Sequence, residues 1–376
     1  MTRSQFRVVL SVSVLFLCGS LGCSTKEYGP QKPVMDRPAS PWLVSPELLE
    51  AAKLEMVWTK KLPTKERESL EWLLVLGNRI YALTDQNYMA SLSSENGDFV
   101  FSRPFAPAGF AVLGLELYKD ELISVVGSKL VEINAETGRE IRSKRLGFGA
   151  ACPAARNSSY FYVAGSDRRL HTFRAEDKVE IIPRAADNES LITAIVADDS
   201  SVVFATEAGN VISVAPDERK RLWQFDAAAG IVGPIVREGE SLFVASKDTY
   251  VYKLDVEMGT PPVWKYQAEA ILDRAPRATR EVVYQYVQTK GLTAIDKESG
   301  KFMWRVERGL DLLAEAGGKA YVLKDNGELV VMDNKTRKKL CSVNFAQVSR
   351  YAANTVDSKI YIADETGRIS CLRPLE

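Results

Sequence analysis

Glu281-Val-Val-Tyr-Gln-Tyr-Val-Gln-Thr-Lys-Gly-Leu-Thr-Ala-Ile-Asp-Lys-Glu-Ser-Gly-Lys-Phe-Met-Trp-Arg-Val306 reads as three β-strands joined by two turns. Val282 to Val287 is β-branched and aromatic, Lys290-Gly291 turns the chain, Leu292 to Ile295 runs back, and Phe302 to Val306 carries Trp304. The second turn, Asp296-Lys297-Glu298-Ser299-Gly300, has a carboxylate that accepts from the amides just ahead of it. Its glycine supplies the positive φ of a tight hairpin.

The same unit recurs along the chain. Its apolar-aromatic pair returns as Ile80-Tyr81, Leu122-Ile123, Phe161-Tyr162, Val203-Phe204, Leu242-Phe243, Val283-Tyr284, Ala320-Tyr321 and Ile360-Tyr361. The second members lie 42, 39, 42, 39, 41, 37 and 40 residues apart. A strand-rich repeat of that length cannot bury both faces alone, so it either stacks as a superhelix or closes as a propeller. The chain ends choose closure. The eighth copy stops just after its Ile369 to Leu372 strand, and the strand it lacks stands before the first copy, at Met56 to Lys60 with Trp58. The expectation is an all-β fold, an eight-bladed β-propeller of four-stranded antiparallel blades whose ring is closed by the N-terminal strand. Closure of this kind hides sheet edges.

Three segments follow: a leader over 1–22, Cys23 with a Pro-containing tether and short helix over 23–54, and the propeller over 55–376. The leader has Arg3 and Arg7, then an apolar run from Val8 to Leu17, too short for a permanent span. Ser45-Pro46-Glu47 reads as a helix start, with Ser45 as N-cap. Acidic and basic residues balance at 49 each, so the basic excess of a nucleic-acid binder is missing.

With these positions set out, the run Leu292-Thr-Ala-Ile-Asp-Lys-Glu-Ser-Gly-Lys-Phe-Met-Trp304, and Trp58, Trp223 and Trp264 in matching places, resembles the repeat of pyrroloquinoline-quinone-type propellers. An eight-copy chain behind such a leader resembles, within that class, the BamB family of outer-membrane assembly lipoproteins. Asp177 to Arg184 and Asn334 to Leu340 depart from the pattern, lacking the Gly-Trp pair. Ser20-Leu21-Gly22-Cys23 resembles a bacterial lipobox, with Ser20 where the family usually has Leu, which makes Cys23 the lipidation site. Ser24 after it implies the outer membrane, facing the periplasm. The resemblance implies an anchored, non-catalytic, monomeric scaffold without a cofactor. Its partner is then an envelope protein, in the family the β-barrel assembly protein. In the family a loop with a Leu-Arg-Gly run contacts that protein; here the corresponding stretch is Leu146-Gly147-Phe148, without the Arg.

Candidate docking residues are therefore Phe148 and the exposed pair Arg168 and Arg169, with the basic turn from Lys335 to Lys339 as a second patch. His171, the sole histidine, is expected to face away from Leu170 and Phe173 as a solvent-facing or hydrogen-bonded residue. It rules out a site of several His ligands. Cys152, Cys341 and Cys371 remain after Cys18 leaves with the leader and Cys23 is lipidated; a Cys341–Cys371 disulfide stays open. Two other readings stand: a small molecule or glycan in the central channel, and a diverged quinone-dependent dehydrogenase. The dehydrogenases use adjacent cysteines and Ca²⁺, and no two cysteines are adjacent here.

Overall fold

A computed structural model describes residues 42–181 and 183–375; the leader, Cys23 and most of the tether lie outside the described residues. The expected ring is present as eight four-stranded antiparallel sheets. Blade 1 runs through Leu70–Leu76, Arg79–Thr84, Tyr88–Ser93 and Phe99–Pro104, and blade 2 through Val112–Tyr118, Glu121–Val126, Lys129–Asn134 and Glu140–Arg145. Blade 3 is Ala155–Arg156, Tyr160–Ala164, Arg169–Arg174 and Arg184–Ala185; blade 4 is Ile192–Ala197, Val202–Thr206, Asn210–Val214 and Arg221–Asp226. Blade 5 is Val236–Glu238, Ser241–Ala245, Tyr250–Asp255 and Trp264–Gln267; blade 6 is Arg277–Ala278, Val282–Val287, Gly291–Asp296 and Phe302–Val306. Blade 7 is Gly309–Ala316, Lys319–Lys324, Glu328–Asp333 and Lys338–Asn344. Blade 8 takes Arg350–Ala352, Ile360–Ala363 and Arg368–Pro374 from the C-terminal end, and its fourth strand is Leu54–Lys61.

That closing strand pairs antiparallel with Arg368–Pro374, from Leu54 opposite Pro374 to Lys61 opposite Arg368. It starts two residues earlier than Met56, because the helix before it is shorter than expected. The helix spans Pro46–Ala51 and stops at Lys53, whose φ of 53° breaks the helical path. Ser45 does not cap it through its side chain. Its carbonyl accepts from Leu48 and Leu49 N–H at 3.1 Å each, while its hydroxyl is engaged by the Glu47 carboxylate and lowers that pKa.

Each blade lies between two neighbours, so its second strand is covered on both faces and reads as a continuous apolar run. Ile80 to Leu83, Phe161 to Ala164 and Val282 to Tyr284 are all essentially buried. Aromatic rings in the second strand also reach sideways. Tyr162 of blade 3 donates its hydroxyl to Pro216 O of blade 4 at 2.6 Å, and Asn334 of blade 7 donates to the Tyr284 hydroxyl of blade 6 at 2.7 Å. The forty-residue spacing of the aromatic pairs is thus the spacing of contacts between blades.

The fourth strand makes the other lateral contact. Trp58, Trp223 and Trp264 lay their rings over Gly97, Gly259 and Gly300 in the last hairpin of the following blade. Added at Gly97, a Cβ would stand 2.6 Å from the Trp58 ring, and at Gly300 it would stand 2.7 Å from that of Trp264. The indole N–H of Trp223 and Trp264 donates to Val256 O and Lys297 O, at 2.8 and 2.9 Å. In this way one glycine satisfies both the left-handed turn and the ring above it.

The thiols of Cys152, Cys341 and Cys371 are free, which closes the disulfide option. Cys341 sits on the outer strand of blade 7 opposite Val331, and Cys371 sits in blade 8 between Tyr361 and Trp58. Burial pushes the Cys152 and Cys371 thiols up to about 12.

Candidate functional site

The hairpin between the second and third strands of blade 3 holds both candidate arginines. Gly165 N–H donates to Arg169 O at 2.8 Å and Arg168 N–H to Gly165 O at 3.0 Å, and Arg168 takes the left-handed position at φ 67°. The two side chains are exposed, and neither forms an ion pair among the described residues. The connection from blade 2 is fixed to this hairpin by Ser166 N–H to Gly149 O at 2.7 Å and by a bridge between Ala150 and Gly165. Phe148 is therefore brought to the same end of the blade as Arg168 and Arg169.

What holds Phe148 is the histidine. The two rings stack with centroids 3.6 Å apart at 18°. His171 itself is buried; its Nδ1 lies 2.6 Å from Glu180 and its Nε2 3.0 Å from each Asp167 oxygen. Of the two options for this residue, the hydrogen-bonded one holds and the solvent-facing one does not, since blade 3's neighbouring loop covers the ring. Gly165 is needed beneath it: a Cβ there would meet the Asp167 carboxylate and come within 2.9 Å of Nε2. The result is a half-buried aromatic platform beside two free guanidinium groups, a combination able to stack on a planar group and pair with a carboxylate.

Between blades 2 and 3 lies a charged cluster that the sequence reading did not single out. Glu132 of blade 2 is 1% exposed, yet Arg142, Arg156 and Lys178 reach it at 3.0, 3.3 and 2.7 Å. Lys178 stands, at φ 58°, where other blades have glycine. Its ammonium donates to Ala175 O at 2.7 Å, the counterpart of the carbonyl that receives an indole N–H elsewhere, and lies 4.3 Å from the Phe161 ring. A lysine thus fills a slot that tryptophan fills at other junctions. The available signal was Glu132 itself, a charge inside Leu130-Val131-Glu132-Ile133. In the second basic patch, Asp333 accepts from Lys335 and Thr336 N–H at 2.8 Å each and Arg337 takes the glycine position at φ 60°, so these charges decorate a solvated hairpin.

Near the inner strands of blades 5 to 7 there is a cleft of about 390 Å³. Arg277 clasps Asp311 there through two contacts of 3.2 and 3.0 Å, and Arg274 lies 4.1 Å from the Tyr286 ring centroid. Among the described residues, no three His, Cys, Asp or Glu side chains gather in a group able to hold a metal ion.

The family described as "Outer membrane protein assembly factor BamB" matches residues 207–371. This is the half of the ring in which the Gly-Trp pairs are most regular. BamB from Moraxella catarrhalis has a similar fold, with a TM-score of 0.66 at 14% identity, over 85% of this chain and 97% of that one. A computationally designed protein, Ika8, gives 0.63 at 13%, over 83% and 98%, and the C-terminal WD40 domain of Sif2 gives 0.63 at 11%, over 86% and 99%. No curated protein matches the sequence. The chain is an eight-bladed propeller that resembles the PQQ-like, BamB-type repeat proteins.

Proposed function

We propose that this propeller is a non-catalytic scaffold of the bacterial envelope, lipid-anchored through Cys23 at the outer membrane, that serves β-barrel protein assembly from the periplasmic side. The observation that carries this reading is the match of residues 207–371 to the BamB assembly-factor family. The blade 3 end supports it with a docking surface: Arg168 and Arg169 unpaired and exposed beside Phe148, on loops tied rigidly together. Its partner is an envelope protein with an acidic, planar-group-bearing surface, in the assembly reading the β-barrel assembly protein itself. Crosslinking the native protein in its own cells and identifying what co-purifies tests this. Recovery of a β-barrel assembly protein, reduced about tenfold when Arg168 and Arg169 become Glu, is the expected result. Reproducible absence of that protein overturns the assembly role.

A second reading is favoured by the cleft holding Arg274, Arg277 and Tyr286, which suits a small anionic or sugar-like ligand. It predicts saturable thermal stabilisation by the ligand, which the scaffold reading does not.

A further inference from the structure

We propose that the cavity where the outer part of blade 3 meets blade 4 is a binding site for an alkylammonium group, held by the carboxylate of Glu218.

The cavity opens to solvent, has a volume of about 790 Å³ and is lined by Tyr160, Glu180, Ile181, Pro183, Arg184 and Glu218, together with Asp217 and Arg219. It opens where the sequence breaks its own rule. At the junctions of blades 8 and 1, 4 and 5, and 5 and 6, a tryptophan covers the last hairpin of the following blade. Blade 3 has no such ring, and its outer strand is only Arg184–Ala185. In blade 4 the glycine position is held by Glu218, at φ 59°.

Glu218 is 6% exposed, and among the described residues neither of its carboxyl oxygens has a hydrogen-bond partner. Several groups around it are engaged elsewhere. Arg184 donates to the backbone carbonyl of Glu218, not to its carboxyl. The Tyr162 hydroxyl donates to Pro216 O, Glu180 accepts from His171, and Asp217 faces Arg219 at 3.5 Å. A buried carboxyl with no partner in the wall of a cavity that size lacks a donor.

The preceding junction shows what kind of donor fits. There the glycine-position residue is Lys178, whose ammonium is taken by Glu132, by Ala175 O and by the face of Phe161. The third-strand position matching Glu132 is Thr172 in blade 3, and its hydroxyl is also buried without a partner. One junction therefore holds a cation with its carboxylate, and the next holds a carboxylate alone. Ile181, Pro183 and Tyr160 offer apolar walls for an alkyl stem. Burial holds the Glu218 carboxyl at about 8, with Arg184 pulling it down and Asp217 pushing it up. Binding an ammonium therefore releases that proton to solvent, and affinity rises with pH up to about 8. The ammonium has two sources, a free amine or a lysine side chain of a bound protein segment.

The test uses the whole chain with pentylamine and with a short extended peptide carrying one lysine, its norleucine analogue serving as control. Binding is measured by calorimetry at pH 6.5 and 8. Saturable binding of either probe is expected, weaker by about tenfold or more in Glu218→Gln and unchanged in Glu257→Gln, an exposed acid in the equivalent hairpin of blade 5. Affinity is expected to rise by about tenfold per pH unit below 8. Pentylamine binding shows that a free amine suffices, whereas binding of the lysine peptide alone assigns the source to a protein segment. No saturable binding of either at pH 8, or binding that Glu218→Gln leaves unchanged, overturns the proposal. Because Glu218 is neutral when the cavity is empty near pH 7, Gln matches its shape and charge; an unchanged melting profile there verifies the fold of the variant.

Discussion

Blades 5 and 3 solve the same problem with different chemistry. Blade 5 docks on blade 6 through Trp264, which lies on Gly300 and donates to Lys297 O. Blade 3 receives blade 2 through Lys178, Glu132, Arg142 and Arg156, and presents the Glu218 carboxyl of blade 4 with no donor. A tryptophan brings its own apolar area and needs one acceptor, so the junction is complete as soon as the ring is placed. A buried charge needs all of its partners at once, and removal of any one leaves the others exposed to the low-dielectric interior. The ionic junctions are thus more selective and less forgiving.

The comparison fails first at its strongest point if Glu132→Ala is mild. That variant leaves Lys178 buried beside no carboxylate and Arg156 with Glu121 alone, and a loss of about 3–5 kcal/mol in urea unfolding is expected. Trp264→Ala is expected to cost a similar or slightly smaller amount, about 3–4 kcal/mol, by loss of ring packing. The informative double variant is Glu132→Met with Lys178→Met, which removes both charges of one pair; recovery of roughly half the loss marks the cost as stranded charge rather than lost volume.

A smaller effect is read from pH. The Glu218 carboxyl is held at about 8 in the folded chain, against an ordinary value near 4.5 when unfolded. Between these values the unfolded state has lost the proton that the folded state keeps. Stability therefore falls as pH rises from about 5 to 8 and levels off above, with a slope of at most about 1.4 kcal/mol per pH unit from this group. Melting curves of Glu218→Gln across that range are expected to be flatter than those of the parent. An equal slope in both would remove the distinction between an unpartnered carboxyl and a satisfied junction. The smallest effect belongs to blade 7, where Arg337 takes the left-handed position on the surface. Arg337→Gly relieves that conformation and is expected to stabilise by up to about 1 kcal/mol.

How far the sequence foretold this depends on the kind of contact. Repetition revealed the second and third strands and the tryptophans, because apolar side chains covered on both faces leave a signal at every copy. Innermost strands such as Ala155–Arg156 and Arg277–Ala278 were not legible, since two residues carry no period. The end of the first helix also escaped, being set by the backbone angle of Lys53. At the candidate site, Arg168, Arg169 and Phe148 were readable as exposed material on neighbouring connections. The stacking of Phe148 on His171 was not, because it joins residues 23 positions apart through a loop path without periodicity. Glu132 left one mark, a charge inside an apolar strand, whereas Glu218 looks like an ordinary solvated acid in the sequence; only the packing of one blade on the next buries them.

The pairing of Leu54–Lys61 with Arg368–Pro374 also sets an order of events. Thr59 bonds to Ile369 O across 310 residues, so the first strand to emerge must wait for the last. Until then its edge and its Trp58 stay open while every intervening blade can already lean on a neighbour. The ring has a clasp, and contacts this distant in sequence are slow to close. Newly made chains therefore pass through an open arc, and guarding the waiting strand is the moment at which a chaperone has the most to offer.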